Sequence, residues 1–233
     1  MSTVQPPRDQ LLDDEGRATF LSHFLGAHRA FRRDAARFPV ALRRIAAPEE
    51  PDRIPHPDAL RRHWEGYEAA LVHHHHMEDE LLFPPLRDLA PAVGEVIDEL
   101  AVQHHELDRT IAGVHEALDR LPAADAVERS VRVCEELAAA LGRHLGLEEE
   151  HLVPIMRATM LEPRLHGDGG PDGAPEEGGH AEATGHAFVL PWVADGLDDD
   201  TVAALLGSQP SAVGTTFPAW HAAYTDQLDR WWW

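Results

Sequence analysis

Four amphipathic stretches constrain the fold. Apolar residues recur at helical steps along Phe20, Phe24 and Phe31, along Trp64, Tyr67, Leu71 and Leu82, along Ile97, Leu100, Leu107 and Ile111, and along Leu137, Leu141 and Leu152. That spacing keeps one face of an α-helix apolar and fits no β-strand. Prolines punctuate the stripes. Residues 47–57 hold four prolines and read as a loop. Pro39 is a point where the first helix, starting at Asp13, would kink or end early. Asp58 is a candidate N-cap for a second helix that stops before Pro84-Pro85, and Pro91 opens a third that reaches Leu121. A fourth runs from Asp125 past His151. The expected fold is all-α: an antiparallel four-helix bundle over residues 1–162 with a C-terminal helical extension.

Composition changes after the bundle. Residues 163–186 are dominated by Gly, Pro, acidic residues, His and Ala and read as a linker. Residues 187–233 carry five of the six tryptophans, with a short helix candidate at Asp198–Asp200 and a last one near Phe217–Trp233. A segment of this length cannot build its own core. It is expected to pack on the bundle or to meet a second copy or another protein.

Twenty cations, all Arg, face 41 Asp+Glu, a formal charge of −21. That charge argues against binding nucleic acid through its phosphates. No apolar run reaches the roughly 18 residues of a membrane span, and Met1 to Asp14 lacks an apolar signal core. The single Cys134 excludes an internal disulfide framework and reads as a small core residue. A cytoplasmic protein is expected.

Histidine makes up 17 of 233 residues, and its placement is patterned. Residues 74–84 align with 144–154: His74/His144, Glu78/Glu148, Glu80/Glu150, Leu82/Leu152 and Pro84/Pro154 are identical. On the partner helices His28 precedes Phe31 as His104 precedes Leu107. The chain therefore reads as two helix pairs, each with a lone His and a His-x-x-x-Glu. Positions i and i+4 differ by about 40° around a helix, so both side chains of the pair can reach one ion. His28, His74, Glu78, His104, His144 and Glu148 all fall on the apolar stripes. Two carboxylates in an apolar core repel each other and are costly to bury, and divalent cations would supply the missing charge. One core histidine is usually packing; a duplicated set with a shared Leu-x-Pro ending is a stronger signal.

These motifs resemble the hemerythrin-like (HHE cation-binding) proteins over about residues 15–160. The resemblance implies a carboxylate-bridged non-haem centre of two iron ions, with manganese or zinc less favoured. It places His28 and His74 on one iron, His104 and His144 on the other, and Glu78 and Glu148 between them. The chain departs from the oxygen carriers of the family, which have a second His where Asp108 stands and His-x-x-x-x-Asp where His144-x-x-x-Glu148 stands. One nitrogen donor is thus missing, which shifts the expectation from reversible oxygen carriage toward redox, sensing or peroxide chemistry. The expected ligand is a small oxidant: oxygen, peroxide or nitric oxide. The alternative is a metal-dependent sensor or interaction module that signals through the C-terminal extension. Ferritin-like chemistry ranks lower, since Glu148-x-x-His151 has no second copy.

Several residues keep open assignments. His75 and His151 are possible extra ligands, His105 competes with His104, and Tyr67 either lies over the metals or packs in the core. Asp79, Asp108 and Glu149 are candidate acceptors for ligand imidazole N–H groups. His73 and His76 read as surface or outer residues, His180 and His186 as linker. His63 and His221 show no spacing signal.

Overall fold

In the computed structural model, residues 11–46, 54–159 and 181–231 are described. The long helices are α1 (Phe20–Ala46), α2 (Pro57–Met77), α4 (Gly94–Asp119) and α5 (Ala124–His151). A π-helical turn, Glu78–Leu82, joins α2 to the short α3 (Phe83–Leu89). A 3₁₀ turn, Pro91–Val93, leads into α4, and α6 (Val153–Thr159) follows α5. The extension forms α7 (Ala181–Ala194), α8 (Asp199–Gly207) and α9 (Ser211–Trp231). Among the described residues there is no strand, only an isolated bridge pairing Leu12 with Ala18. The all-α bundle expected from the sequence is the fold observed.

The buried positions explain the bundle. On α1 they include Phe24, His28, Phe31, Ala35, Phe38 and Leu42; on α4, Ile97, Leu100, His104, Leu107, Ile111, Val114 and Leu118. These alternate three- and four-residue steps, the seam that lets helices pack nearly antiparallel. α5 packs along both α1 and α4. Pro39 does not end α1. Phe38 and Leu42 on either side of it are fully buried, and that packing outweighs the roughly 3 kcal/mol a mid-helix proline costs.

The second helix differs most from its expected form. Its N-cap is His56, not Asp58, which lies in the first turn and pairs with Arg61. The chain also continues past Met77. The Phe83 N–H reaches back five residues to the Glu78 carbonyl, and Pro84-Pro85 then occupy the first turn of α3, where a missing N–H costs nothing. A π turn of this kind is rare and recurs at functional sites.

The extension belongs to the same body. α7 packs on both α1 and α2, and α9 packs on α2 and α7. Trp192 is fully buried, and its ring centroid lies 4.8 Å from that of Phe31. Two helix-interior glycines make room for α7. A Cβ at Gly66 would stand 2.7 Å from the Phe188 ring, and one at Gly26 would stand 3.0 Å from Val193. Arginines of α1 hold the C-terminal carbonyls of α7. Arg33 Nη1 donates to the Trp192 and Asp195 oxygens at 2.9 and 2.8 Å, and Arg29 Nη1 to the Asp195 oxygen at 2.9 Å. Helix α7 starts at Ala181, inside the stretch the composition marked as linker, so 181–186 are helical. The rest of that stretch, with His180, and the terminal Trp232 and Trp233 lie outside the described residues.

Two apolar clusters fill the bundle. The larger gathers Phe31, Phe38, Leu42, Trp64, Tyr67, Leu137 and Trp192 among others. The smaller, around Phe24, Leu82, Phe83, Leu86, Leu100 and Leu152, closes the other end. The buried histidines and glutamates form a polar layer between them.

Candidate metal centre

Each long helix delivers to this layer the side chains its stripe predicted. His28 comes from α1, His74 from α2, Glu78 from the first residue of the π turn, His104 from α4, and His144 and Glu148 from α5. His28, Glu78, His104, His144 and Glu148 are buried, and His74 is nearly so. Their inner atoms converge in a regular pattern. Glu78 turns Oε1 to His74 Nε2 at 3.2 Å and Oε2 to His104 Nε2 at 3.4 Å. Glu148 turns Oε2 to His28 Nε2 at 3.4 Å and Oε1 to His144 Nε2 at 3.1 Å. Each carboxylate thus offers one oxygen to either side. One side holds His28, His74, Glu78 and Glu148, and the other holds His104, His144 and the same two glutamates, with donor atoms within 4.8 Å of one another in each group.

Outer hydrogen bonds fix the rings. The His28 Nδ1–H donates to Glu149 Oε1 at 2.9 Å, and the His104 Nδ1–H to Asp79 Oδ1 at 2.9 Å. An ionised carboxylate only accepts, so the proton sits on Nδ1 and the lone pair of Nε2 faces inward. For His144 the acceptor is Gln103 Oε1 at 3.2 Å, while the Gln103 amide nitrogen donates to Glu99. The pattern is reciprocal across the duplication. The acid after Glu148 holds the lone His of the first helix pair, and the acid after Glu78 holds the lone His of the second. Arg32 grips Glu149 through two bonds of 2.6 and 3.1 Å.

His28 Nε2 and His74 Nε2 face each other at 3.2 Å, but the other inner atoms are orphaned. Both oxygens of Glu78 and of Glu148, His104 Nε2 and His144 Nε2 are buried without a hydrogen-bond partner. Leaving such groups unpaired costs about 1–3 kcal/mol each, more if charged. Burial and the charge of Glu148 push Glu78 well above the usual carboxylate range. Burial also opposes ionisation of Glu148, but His144 and His28 outweigh it and hold that carboxyl low. Burial and the neighbouring imidazoles depress His74, and burial depresses His104. A buried carboxylate pair that cannot hold both its charges unaided, beside the depressed imidazoles of His74 and His104, suits a divalent cation.

The other sequence candidates fall as follows. His75 is buried within the layer, its ring stacked on His104 with centroids 4.3 Å apart. His105 is exposed, so His104 is the α4 donor. His151 is exposed, away from the layer. Asp108 is exposed too; Asp79, Glu149 and Gln103 take the acceptor roles. The Tyr67 hydroxyl donates to the Phe31 carbonyl at 3.3 Å, a core contact. His73 and His76 are exposed, with His76 beside Glu80. Cys134 is a buried core residue, its thiol pushed up to about 12 by burial.

His63 departs from its reading. It is fully buried, and its Nε2 meets Asp34 Oδ2 at 2.7 Å, where Trp192 Nε1 also donates at 2.7 Å. Leu60, His63, Tyr67 and Leu71 share one stripe, a pattern that marks His63 as inward. Asp34 carried no such flag, because its partners His63 and Trp192 lie 29 and 158 residues away in sequence.

Four helices with cation donors on facing stripes define a metal-binding bundle. Residues 19–156 match the family model described as the Hemerythrin HHE cation binding domain. The chain belongs to that family. No curated protein and no solved structure matches the chain.

Proposed function

We propose that this chain is a non-haem di-iron protein that binds or reduces a small oxidant, whether oxygen, peroxide or nitric oxide. The observation that carries the reading is the alternation of the carboxylate oxygens: Glu78 and Glu148 each present one oxygen to the His28/His74 side and one to the His104/His144 side. Two bridging carboxylates with imidazoles match two adjacent ions better than one. The donor set is oxygen and nitrogen without thiolate, which favours iron or manganese over softer ions. Iron, when bound, supplies reversible one-electron chemistry at each position.

The chain's own residues do the rest. Glu149 and Asp79 keep the Nδ1 protons of His28 and His104 in place, so both rings present Nε2 inward. Phe83 stacks on His104, and Phe24 and Phe31 pack at a tilt against His28 and His74, so apolar rings wall the layer. His74 alone of the six retains appreciable exposure, its side chain 12% accessible, which marks the edge nearest solvent.

The test is metal content of anaerobically purified protein, with spectra before and after oxygen, peroxide and nitric oxide. The expected result is two irons per chain and a near-ultraviolet band that responds to one oxidant. Glu148→Ala and His74→Ala should remove the band while keeping most of the helix content. Full iron loading in either variant would count against the ligand set. The sensor reading draws on the ring sequence His74, Phe31, Trp192, with centroids 5.3 and 4.8 Å apart, which joins the layer to α7.

A further inference from the structure

His75 is only 4% exposed, and neither ring nitrogen has a hydrogen-bond partner. No other buried histidine of the layer lacks an outer anchor in this way: His28, His104 and His144 each donate Nδ1–H to a side chain. A buried polar group with no partner costs about 1–3 kcal/mol and calls for an explanation. The ring position supplies one. A donor nitrogen of His75 lies within 4.8 Å of those of His104 and His144. The ring stacks on His104 at an interplanar angle of 19° and meets His144 edge-on, with centroids 5.2 Å apart.

Helix geometry explains how two adjacent residues serve two sides. Consecutive positions differ by about 100°, and Glu78 falls between His74 and His75 in projection, one turn further on. His74 therefore faces His28, Glu78 spans the middle, and His75 faces the pair from α4 and α5. We propose that His75 is a third imidazole ligand at the His104/His144 position, so that the two metal positions are inequivalent. One is faced by two imidazoles, from His28 and His74, and the other by three, from His75, His104 and His144, with Glu78 and Glu148 between them. Asp108 of α4 is exposed, so it offers no donor to this side. This inference rests on the two-metal reading above and assigns its asymmetry.

The experiment uses the full chain stripped of metal and titrated with Co²⁺ under anaerobic conditions. Stoichiometry is read from the visible bands, and imidazole N–H protons from paramagnetically shifted NMR signals that vanish in D₂O. For the wild type the expectation is two ions and five exchangeable imidazole signals. His75→Ala should show four, with one ion bound about tenfold or more weakly and the other unchanged. Two ions with four signals in the wild type would overturn the role of His75 and leave the two-metal reading standing. Unchanged affinity at both positions in His75→Ala would do the same. Failure of the wild type to bind two ions would overturn both readings together. If His75→Ala does not fold, the wild-type signal count still decides.

Discussion

Glu149 holds the outer nitrogen of the His28 ring at 2.9 Å, while its neighbour Glu148 faces the inner nitrogen of that ring at 3.4 Å. Two consecutive acids of α5 thus grip one imidazole of α1 from both ends. The outer acid is itself held by Arg32 and is one-third exposed, so it can be changed without opening the core. Glu149→Ala should leave the fold intact and weaken one of the two ions about 10–100-fold. Glu149→Gln, whose amide oxygen still accepts, should lose less. Competition with a chelator of known affinity measures both.

Gly66 and Gly113 both lie inside helices but face different surroundings. A methyl at Gly66 would strike the Phe188 ring, whereas one at Gly113 meets nothing within 4 Å. Gly→Ala ordinarily gains about 1 kcal/mol inside a helix. Gly113→Ala should therefore stabilise by about that amount. Gly66→Ala should instead destabilise by about 1–3 kcal/mol, since overpacking moves α7 off α2. Urea unfolding of the two variants beside the wild type gives the comparison.

Asp34 sets an acid limit for the docked extension. Burial opposes its ionisation, but Arg33 and His63 outweigh that and hold it far below the ordinary carboxylate range. A group depressed in the folded state contributes stability above its unfolded value, near 3.9, and loses it as pH falls toward the folded value. Below about pH 4 the metal-free protein should therefore lose stability at about 1.4 kcal/mol per pH unit from this group alone. Urea midpoints at pH 5, 4 and 3 test the slope. Asp34→Asn should be less stable at neutral pH and should shed the portion of the slope due to Asp34.

Much of this architecture was legible in the chain. The heptad-like steps marked α1, α4 and α5, although α1 starts at Phe20 and not at Asp13, whose carboxylate instead accepts from the Arg17 N–H in a turn through positive-φ Gly16, and the duplicated His-x-x-x-Glu with the two lone His placed six donors in one layer. What escaped depended on contacts between distant segments. His75 sits one turn after Leu71 and reads as a possible extra ligand, but the π turn that follows it needs the i to i−5 bond to be seen. Pro84-Pro85 read as a stop because a proline removes a donor, yet at the head of α3 no donor is required. Asp34 reads as an ordinary surface acid until Trp192, 158 residues on, returns to bond it.

The same bond separates the two readings of the extension. If residues 187–231 only report the metal state to a partner, removing residues 166–233 should leave a folded bundle that loads metal normally. The packing argues for a structural share. Removal would uncover Phe31 and Tyr67, whose rings contact Trp192, and strip Asp34 of one donor and Arg33 of two carbonyl acceptors. Breaking a buried charge network of this kind typically costs about 3–5 kcal/mol, a large part of a domain's stability. The shortened chain should therefore aggregate or unfold at a lower temperature and load metal poorly. Trp192→Phe offers a milder version, keeping a ring against Phe31 but losing the N–H. It should cost about 1.5–3 kcal/mol, the worth of a hydrogen bond to a charged group. A shortened chain that melted and bound metal like the full one would return the extension to a purely signalling role.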